Sequence, residues 1–221
     1  MIKFKNRSEA GRFLAAQLSA YANRSDTLIL ALPRGGVPVA FEVAMALGAP
    51  MDVYLARKLG VPGQEELAMG AIASGGVRSL NNDLIRILGI PDQLIDEITA
   101  RETLELERRE RLYRDGRSEQ SPRGRVAILT DDGLATGATM RAAVKGLRHQ
   151  QPAEIIVAVP VASIQSCEEL RDEADEVVCG LTPEPFYAVG LWYEDFSQTT
   201  DEEVRDLVAR AAQRYSAAAR K

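Results

Sequence analysis

Residues Arg125 to Met140 read "RVAILTDDGLATGATM". The apolar run ends in two adjacent aspartates, Asp131 and Asp132, and passes into a loop of small residues rich in glycine and threonine. In open α/β sheets ligands bind beyond the carboxyl ends of the strands, and this acid pair stands at such an end. Gly133 and Gly137 allow tight turns and close approach, Thr136 and Thr139 supply hydroxyls, and the helix entered here presents unpaired N–H groups carrying partial positive charge. That loop attracts phosphate. The carboxylates before it repel phosphate, but they accept hydrogen bonds from vicinal hydroxyls or hold the waters of a divalent cation. A ligand with two unlike ends meets both demands, and a sugar carrying a 5-phosphate is one. The lysine of a Walker A loop is missing, so a single phosphate monoester fits better than a triphosphate. The plainer alternative is that Asp131 caps a turn and Thr136 caps the helix.

Working outward, the flanking segments predict alternating strands and helices. Ser8 is a candidate cap for a helix reaching Tyr21, with Phe13, Leu14, Leu18 and Tyr21 on its apolar face. "TLILALP" reads as a buried strand, "VPVAFEVAMALG" as a helix closing at Gly48, and "MDVYLAR" as the next strand. Glycine-rich turns between Lys58 and Asn82 separate "LAMGAIAS" from "VRSLN", which predicts a mobile hairpin over about residues 59–82. Pro91 and Asp92 open a long charged helix to about Arg114, its apolar stripe diluted by charge. "RVAILTDD", "EIIVAVPVA" and "EVVCGL" are further strands, with helices from Ala138 and from Ile164 between them, and a closing helix runs from Asp201. Strands rich in Val, Ile and Leu without polar alternation predict a parallel sheet covered on both faces, an α/β doubly wound fold. One domain spans residues 1–221, with a core over about 24–182, the long helix at about 91–114, and a small hood at about 183–200 joined by the N- and C-terminal helices.

A chain of 221 residues, 46% hydrophobic and 27% charged, supports one substantial core. Its formal charge of -5 gives no general attraction to nucleic acid. Cys167 and Cys179 lack CxxC spacing and His149 stands alone among histidines, so a structural zinc site has no ligand set. Both cysteines are expected to be buried thiols of a reducing cytoplasm. No run of about 18 apolar residues predicts a membrane span.

"ILTDDGLATGAT" resembles the phosphoribosyl-diphosphate (PRPP) motif of the type I phosphoribosyltransferases, and the likeness extends from Leu28 to about Phe196. It implies that Asp131 and Asp132 bind the ribose hydroxyls, and a Mg2+ ion through the ribose or water, while Ala135, Thr136, Gly137, Ala138 and Thr139 bind the 5-phosphate. "LALPRGGVPVA" resembles the family's pyrophosphate loop, placing Arg34, Gly35 and Gly36 at the diphosphate and a non-proline cis peptide at Pro33–Arg34. "ARKLG" resembles the Arg-Lys pair of adenine-type members and adds Arg57 and Lys58. The implied catalytic set is Asp131, Asp132, Arg34 and Lys58. The implied reaction is Mg-dependent transfer of the 5-phosphoribosyl group to a nitrogenous base or related acceptor with release of diphosphate, by a cytoplasmic homodimer serving nucleotide salvage.

By the same analogy the aromatic stretch "EPFYAVGLWYEDF" grips the acceptor, with Phe186 or Tyr187 stacking and Trp192, Tyr193 and Asp195 nearby. Packing of these aromatics into the core edge is the alternative. Ala135 stands where hypoxanthine-type members carry an acid, and "ADEVVCGLTPEPF" has no lysine to read an exocyclic oxygen, which disfavours a 6-oxopurine acceptor. Glu65 or Glu66 is the candidate acid–base residue. A non-catalytic module that senses PRPP or a phosphosugar is the rival reading. A receiver-like domain is set aside, because its acid pair follows the first strand.

Overall fold

The computed structural model describes residues 3–218, apart from the side chains of residues 65, 66 and 218. The expectation of an acid–base group at Glu65 or Glu66 therefore falls on side chains outside the described residues. The chain runs α1 (Arg7–Gln17), β1 (Thr27–Ala31), α2 (Gly36–Leu47), β2 (Met51–Val53), β3 (Ala56–Val61), β4 (Gln64–Ala73) and β5 (Val77–Leu80). It continues through α3 (Asn82–Leu88), α4 (Asp92–Arg114), β6 (Val126–Thr130), α5 (Ala138–His149), β7 (Glu154–Val161), α6 (Ile164–Arg171), β8 (Glu176–Leu181) and α7 (Asp201–Ala218).

Among the described residues the core is a five-stranded parallel sheet of order β2-β1-β6-β7-β8. Its inner strands are apolar at nearly every position because each face is covered by helices. Ile29, Ala31, Ile128 and Ile156 face the layer of α1, α2, α4 and α7, whereas Leu28, Leu30, Leu129 and Val157 face α5 and α6. From β1 the chain winds through α2 to β2 on one side, and from β6 through α5 to β7 on the other. The strand ends of β1 and β6 thus flank the topological switch point, where a crevice opens.

Packing corrects several expectations. Asn6, not Ser8, caps α1, its side chain accepting from the Glu9 N–H at 3.0 Å. Leu14 and Leu18 are fully buried as expected, but Phe13 is 38% exposed. "MDVYLAR" is not one strand: β2 stops at Val53, Tyr54 N–H still donates to Ala31 O, and Leu55 then exchanges bonds with Ser74, its N–H donating to Ser74 Oγ at 2.9 Å while Ser74 N–H returns to Leu55 O at 2.8 Å. Ala56–Val61 consequently becomes the first strand of a second, antiparallel sheet, β3-β4-β5, which contains the expected hairpin. Finally, Cys167 and Cys179 are joined in a disulfide between α6 and β8 rather than being free thiols, since the packing of these elements brings their Cα atoms to 6.6 Å.

α4 lies across the second sheet with Ile95, Ile98, Leu106 and Tyr113 buried. Its last residue, Arg114, donates Nε to both oxygens of buried Asp52 at 3.2 Å and Nη2 to Val53 O at 3.2 Å, which anchors the helix to β2. No helix among the described residues is long and apolar enough to cross a membrane.

Candidate active site

The ends of β1 and β6 are tied together by Leu32 N–H donating to Thr130 O at 2.9 Å. Beyond that bond β1 turns through a cis Pro33–Arg34 peptide, as the resemblance implied, and Gly36 N–H closes the turn on Leu32 O at 3.0 Å. The glycines of this turn are required by the acid pair beneath them. A Cβ on Gly35 would stand 2.1 Å from Asp132 Oδ2, and one on Gly36 would stand 2.6 Å from Thr130 O and 2.8 Å from Asp131 Cα. The turn and the aspartates therefore form one wall of the crevice.

The Asp131 carboxylate accepts from Asp132 N–H at 2.8 Å. Burial, with the neighbouring Asp132 charge second, pushes the Asp131 carboxyl well above the usual carboxylate range. Burial also raises Asp132, against the opposing pull of Arg7, whose Nε donates to Asp132 Oδ2 at 2.8 Å. Asp132 O accepts from the Tyr193 hydroxyl at 2.6 Å. Two acids forced this close and largely out of water are poor company for each other, and a ligand that donates hydrogen bonds to them relieves the cost.

The candidate phosphate loop is held from behind. Leu134 bridges to Ala162, and the Ala135 carbonyl accepts from the Ser163 hydroxyl at 3.1 Å and the Ser166 hydroxyl at 2.6 Å. Gly137, at φ 66, is the left-handed cap from which α5 starts, leaving Ala135, Thr136, Ala138 and Thr139 exposed. The first-turn amides of this 12-residue helix point their dipole end into the crevice mouth.

On the opposite side of the turn, a cavity of about 60 Å³ is lined by Leu32, Pro33, Tyr54, Leu55, Ala56, Arg57, Arg109 and Thr139. It brings together the candidate diphosphate turn, the end of the phosphate loop and two arginines. Arg57 is held by Glu102 of α4 (Nε to Oε2, 2.6 Å), and Arg109 by Glu105 one turn before it (Nε to Oε1, 2.7 Å). Arg34 reaches Asp201 at the start of α7 at 3.6 Å, while Lys58 lies on β3 with its side chain exposed. Sequence reading overlooked Arg109, because α4 looked like a solvated helix. The spacing of Glu102, Glu105 and Arg109 on one helical face was the available signal.

The hood pairs with the segment before α1, whereas the C-terminal helix α7, expected to join it, packs on α2, α4 and β2. Phe4 N–H donates to Trp192 O at 2.9 Å and Glu194 N–H to Phe4 O at 2.8 Å, so the segment before α1 pairs with the aromatic stretch. Trp192 is 8% exposed and packs with Phe4, Ala10, Val161 and Tyr193, while Phe186 stacks on it at 6.4 Å and 15°. Tyr187 is 78% exposed. Of the three candidate acceptor residues, Tyr187 presents an open ring, Phe186 is partly buried and Trp192 supports it from within. The hood seats on the acid loop at Gly133, where a Cβ would stand 2.6 Å from Val189 Cγ1. Arg7, absent from the sequence-derived set, and Tyr193, expected only beside the acceptor, come to the acid pair through this N-terminal and hood pairing.

No group of three or more His, Cys, Asp or Glu that could hold a metal occurs among the described residues. Asp131 and Asp132 still suit Mg2+, which keeps several waters and binds through one or two carboxylates together with substrate oxygens.

A family model described as phosphoribosyl transferase domain matches residues 3–189. The crystal structure of TT1426 from Thermus thermophilus resembles this one with a TM-score of 0.85 and 40% sequence identity, over 95% of this chain and 99% of that one. "Putative phosphoribosyl transferase Rv0571c" of Mycobacterium tuberculosis is 44% identical over 215 residues, 97% of this chain but 48% of that protein, so the chain spans about half the length of its curated relatives. AQ2163 from Aquifex aeolicus, 12% identical with a TM-score of 0.51 over 83% of this chain and 78% of that one, shares the fold alone. With the acid pair, the phosphate loop and the glycine turn assembled in one crevice, and the family match running through all three, the chain belongs to the phosphoribosyl transferase domain family as a type I member.

Proposed function

We propose that the protein transfers the 5-phosphoribosyl group of PRPP to a nitrogenous base or related small acceptor, releasing diphosphate. The observation that carries this reading is the juxtaposition, at one switch point, of half-buried Asp131 and Asp132 with the loop Ala135–Thr139 entering α5. The acids accept from the ribose diol, and the loop amides with the hydroxyls of Thr136 and Thr139 take the 5-phosphate. Gly35 and Gly36 let the backbone approach the diphosphate, while Arg34, Arg57, Lys58 and Arg109 supply positive charge where the leaving oxygens gain negative charge. As the C1–O bond breaks, its electron pair leaves with diphosphate. The acceptor nitrogen forms the new C1–N bond and gives its proton to solvent or to a base. Asp131 and Asp132 would hold Mg2+ through the ribose or water, and the ion would supply positive charge against the diphosphate. Phe186 and Tyr187 are the acceptor's stacking surface, Trp192 bracing Phe186 from beneath. The active species is a homodimer.

A second reading, a non-catalytic sensor of PRPP or a phosphosugar, draws support from Ala135 at the position where an acid handles the acceptor proton in hypoxanthine-type members. Diphosphate release from PRPP is the deciding assay, run with Mg2+ across a panel of bases that includes adenine and 6-oxopurines. Turnover with one base supports the transferase, and PRPP binding without turnover for any base supports the sensor. Absence of PRPP binding refutes the transferase and the PRPP sensor, and absence of ribose 5-phosphate binding as well refutes the phosphosugar sensor.

A further inference from the structure

We propose that Arg7 is a positioning residue for the sugar site: it locks the carboxylate of Asp132 in one orientation and couples that orientation to the seating of the hood. The inference rests on the phosphosugar reading above and concerns a residue that does not itself touch the sugar. Arg7 is the first residue of α1, 125 positions from Asp132, and its side chain is 11% exposed. Three contacts fix its guanidinium. Nε donates to Asp132 Oδ2 at 2.8 Å, Nη1 donates to Ser197 O at 2.7 Å, and Cζ lies 4.1 Å from the centroid of the Phe196 ring.

The backbone beneath it is fixed as well. Asn6 caps the helix on Glu9 N–H, and the residues before it are paired with the hood through Phe4 and through Asp195 N–H donating to Lys5 O at 3.0 Å. The arrangement uses what only arginine offers, a planar fork with donors in two directions and a face that lies on an aromatic ring. Asp132 Oδ2 is hemmed in by Arg7 and by the Cα of Gly35, where a Cβ would come within 2.1 Å, while Tyr193 holds the Asp132 carbonyl at 2.6 Å. With Oδ2 engaged, Oδ1 is the oxygen left to accept from the ligand. Its direction is set by the guanidinium plane rather than by the Asp132 rotamer alone. A diol needs acceptors at a fixed spacing, so loosening Arg7 costs discrimination for the diol before it costs phosphate binding.

The test compares ribose 5-phosphate with 2-deoxyribose 5-phosphate by titration calorimetry on the full chain, with a thermal melt of each variant. Wild type is expected to favour the ribose by about tenfold, the size of one hydrogen bond to a charged group. Arg7→Met is expected to shrink that preference to about twofold or less while leaving affinity for the deoxy sugar within about twofold. Arg7→Lys, which keeps the charge and loses the fork, falls between them. If Arg7→Met does not fold, Phe196→Leu carries the same readout, since it removes the ring beneath the guanidinium and is expected to reduce the preference at least twofold. A purely structural role would weaken both sugars alike, and either that result or an undiminished preference in the variants overturns the role of Arg7 while leaving the acid-pair reading intact. A wild type that does not distinguish the two sugars refutes the acid-pair reading itself, and this inference with it.

Discussion

Adjacent glycines in the turn after β1 permit a sharp experiment, because a methyl group at each meets different matter. Gly35 has φ -61 and ψ -33, values that alanine adopts freely, so no backbone strain enters. Its Cβ would collide with Asp132 Oδ2 at 2.1 Å and Cγ at 2.7 Å, both on a side chain that can swing aside. Swinging breaks the Arg7 pair, a charge-assisted bond worth about 1.5–3 kcal/mol, while Gly→Ala returns about 0.4–1 kcal/mol by restricting the unfolded chain. The expected net destabilisation of Gly35→Ala is about 1–2 kcal/mol. At Gly36 the new Cβ meets Thr130 O at 2.6 Å and Asp131 Cα at 2.8 Å, both backbone, so the turn itself must move off the end of β6. That is overpacking with no rotamer to relieve it, and the expected cost is about 2–3 kcal/mol. Urea denaturation gives the stabilities, and calorimetry with ribose 5-phosphate gives the binding. Both variants are expected to lose at least about tenfold in affinity, but Gly35→Ala is to do so while remaining the more stable of the two. A Gly35→Ala protein that binds ribose 5-phosphate as wild type does would refute the claim that the Asp132 carboxylate, in the position described, is the sugar's acceptor.

Other perturbations are more local. Arg109→Met is expected to weaken diphosphate binding about three- to tenfold with stability changed by less than about 0.5 kcal/mol, because its pair with Glu105 is largely solvated; unchanged diphosphate affinity in calorimetry would remove Arg109 from the site. Reducing the Cys167–Cys179 bond, which closes a loop of sequence separation 12, is expected to cost about 2–3 kcal/mol, read as a lower denaturation midpoint in reductant and contradicted by coincident curves. Asp131 titrates above its ordinary value of 3.8 in the fold, so between that value and the raised one the folded state holds more protons than the unfolded chain and stability falls as pH rises. Asp131→Asn should therefore flatten the decline and raise stability at neutral pH while weakening sugar binding, and midpoints measured from about pH 4 to 8 that decline as in wild type would count against the desolvated, raised carboxyl.

Much of this molecule was legible in the order of its residues. The apolar runs at Leu28–Ala31, Val126–Leu129 and Ile155–Val159 are unbroken by polar alternation and bounded by polar residues, proline or glycine. Such a pattern suits strands covered on both faces and little else. The acid pair and the threonine–glycine loop are contiguous, so their shared register survives any error in the surrounding boundaries. The Pro33–Gly36 turn and the C-cap at Gly48 were readable for the same reason: local chemistry decides them within four or five residues.

What stayed hidden was whatever depends on distant segments meeting. Nothing in the composition of "MDVYLAR" announces that Leu55 will trade its bonds with β1 for bonds with Ser74. Cys167 and Cys179 looked like separate apolar thiols until α6 was laid against β8. Charged α4 read as a solvated helix, so the place of Arg109 in the cavity beside the Pro33 turn emerged only in the fold, and Arg7 was one cation among several near the N-terminus. The sequence by itself determined the doubly wound sheet, the acid pair and the threonine–glycine loop after it, because periodicity and turn chemistry act over a few neighbouring residues. Tertiary structure alone decided which charges stand beside the acid pair, because a salt bridge between residues 7 and 132 has no local signature and exists only once the N-terminal segment has paired with the hood.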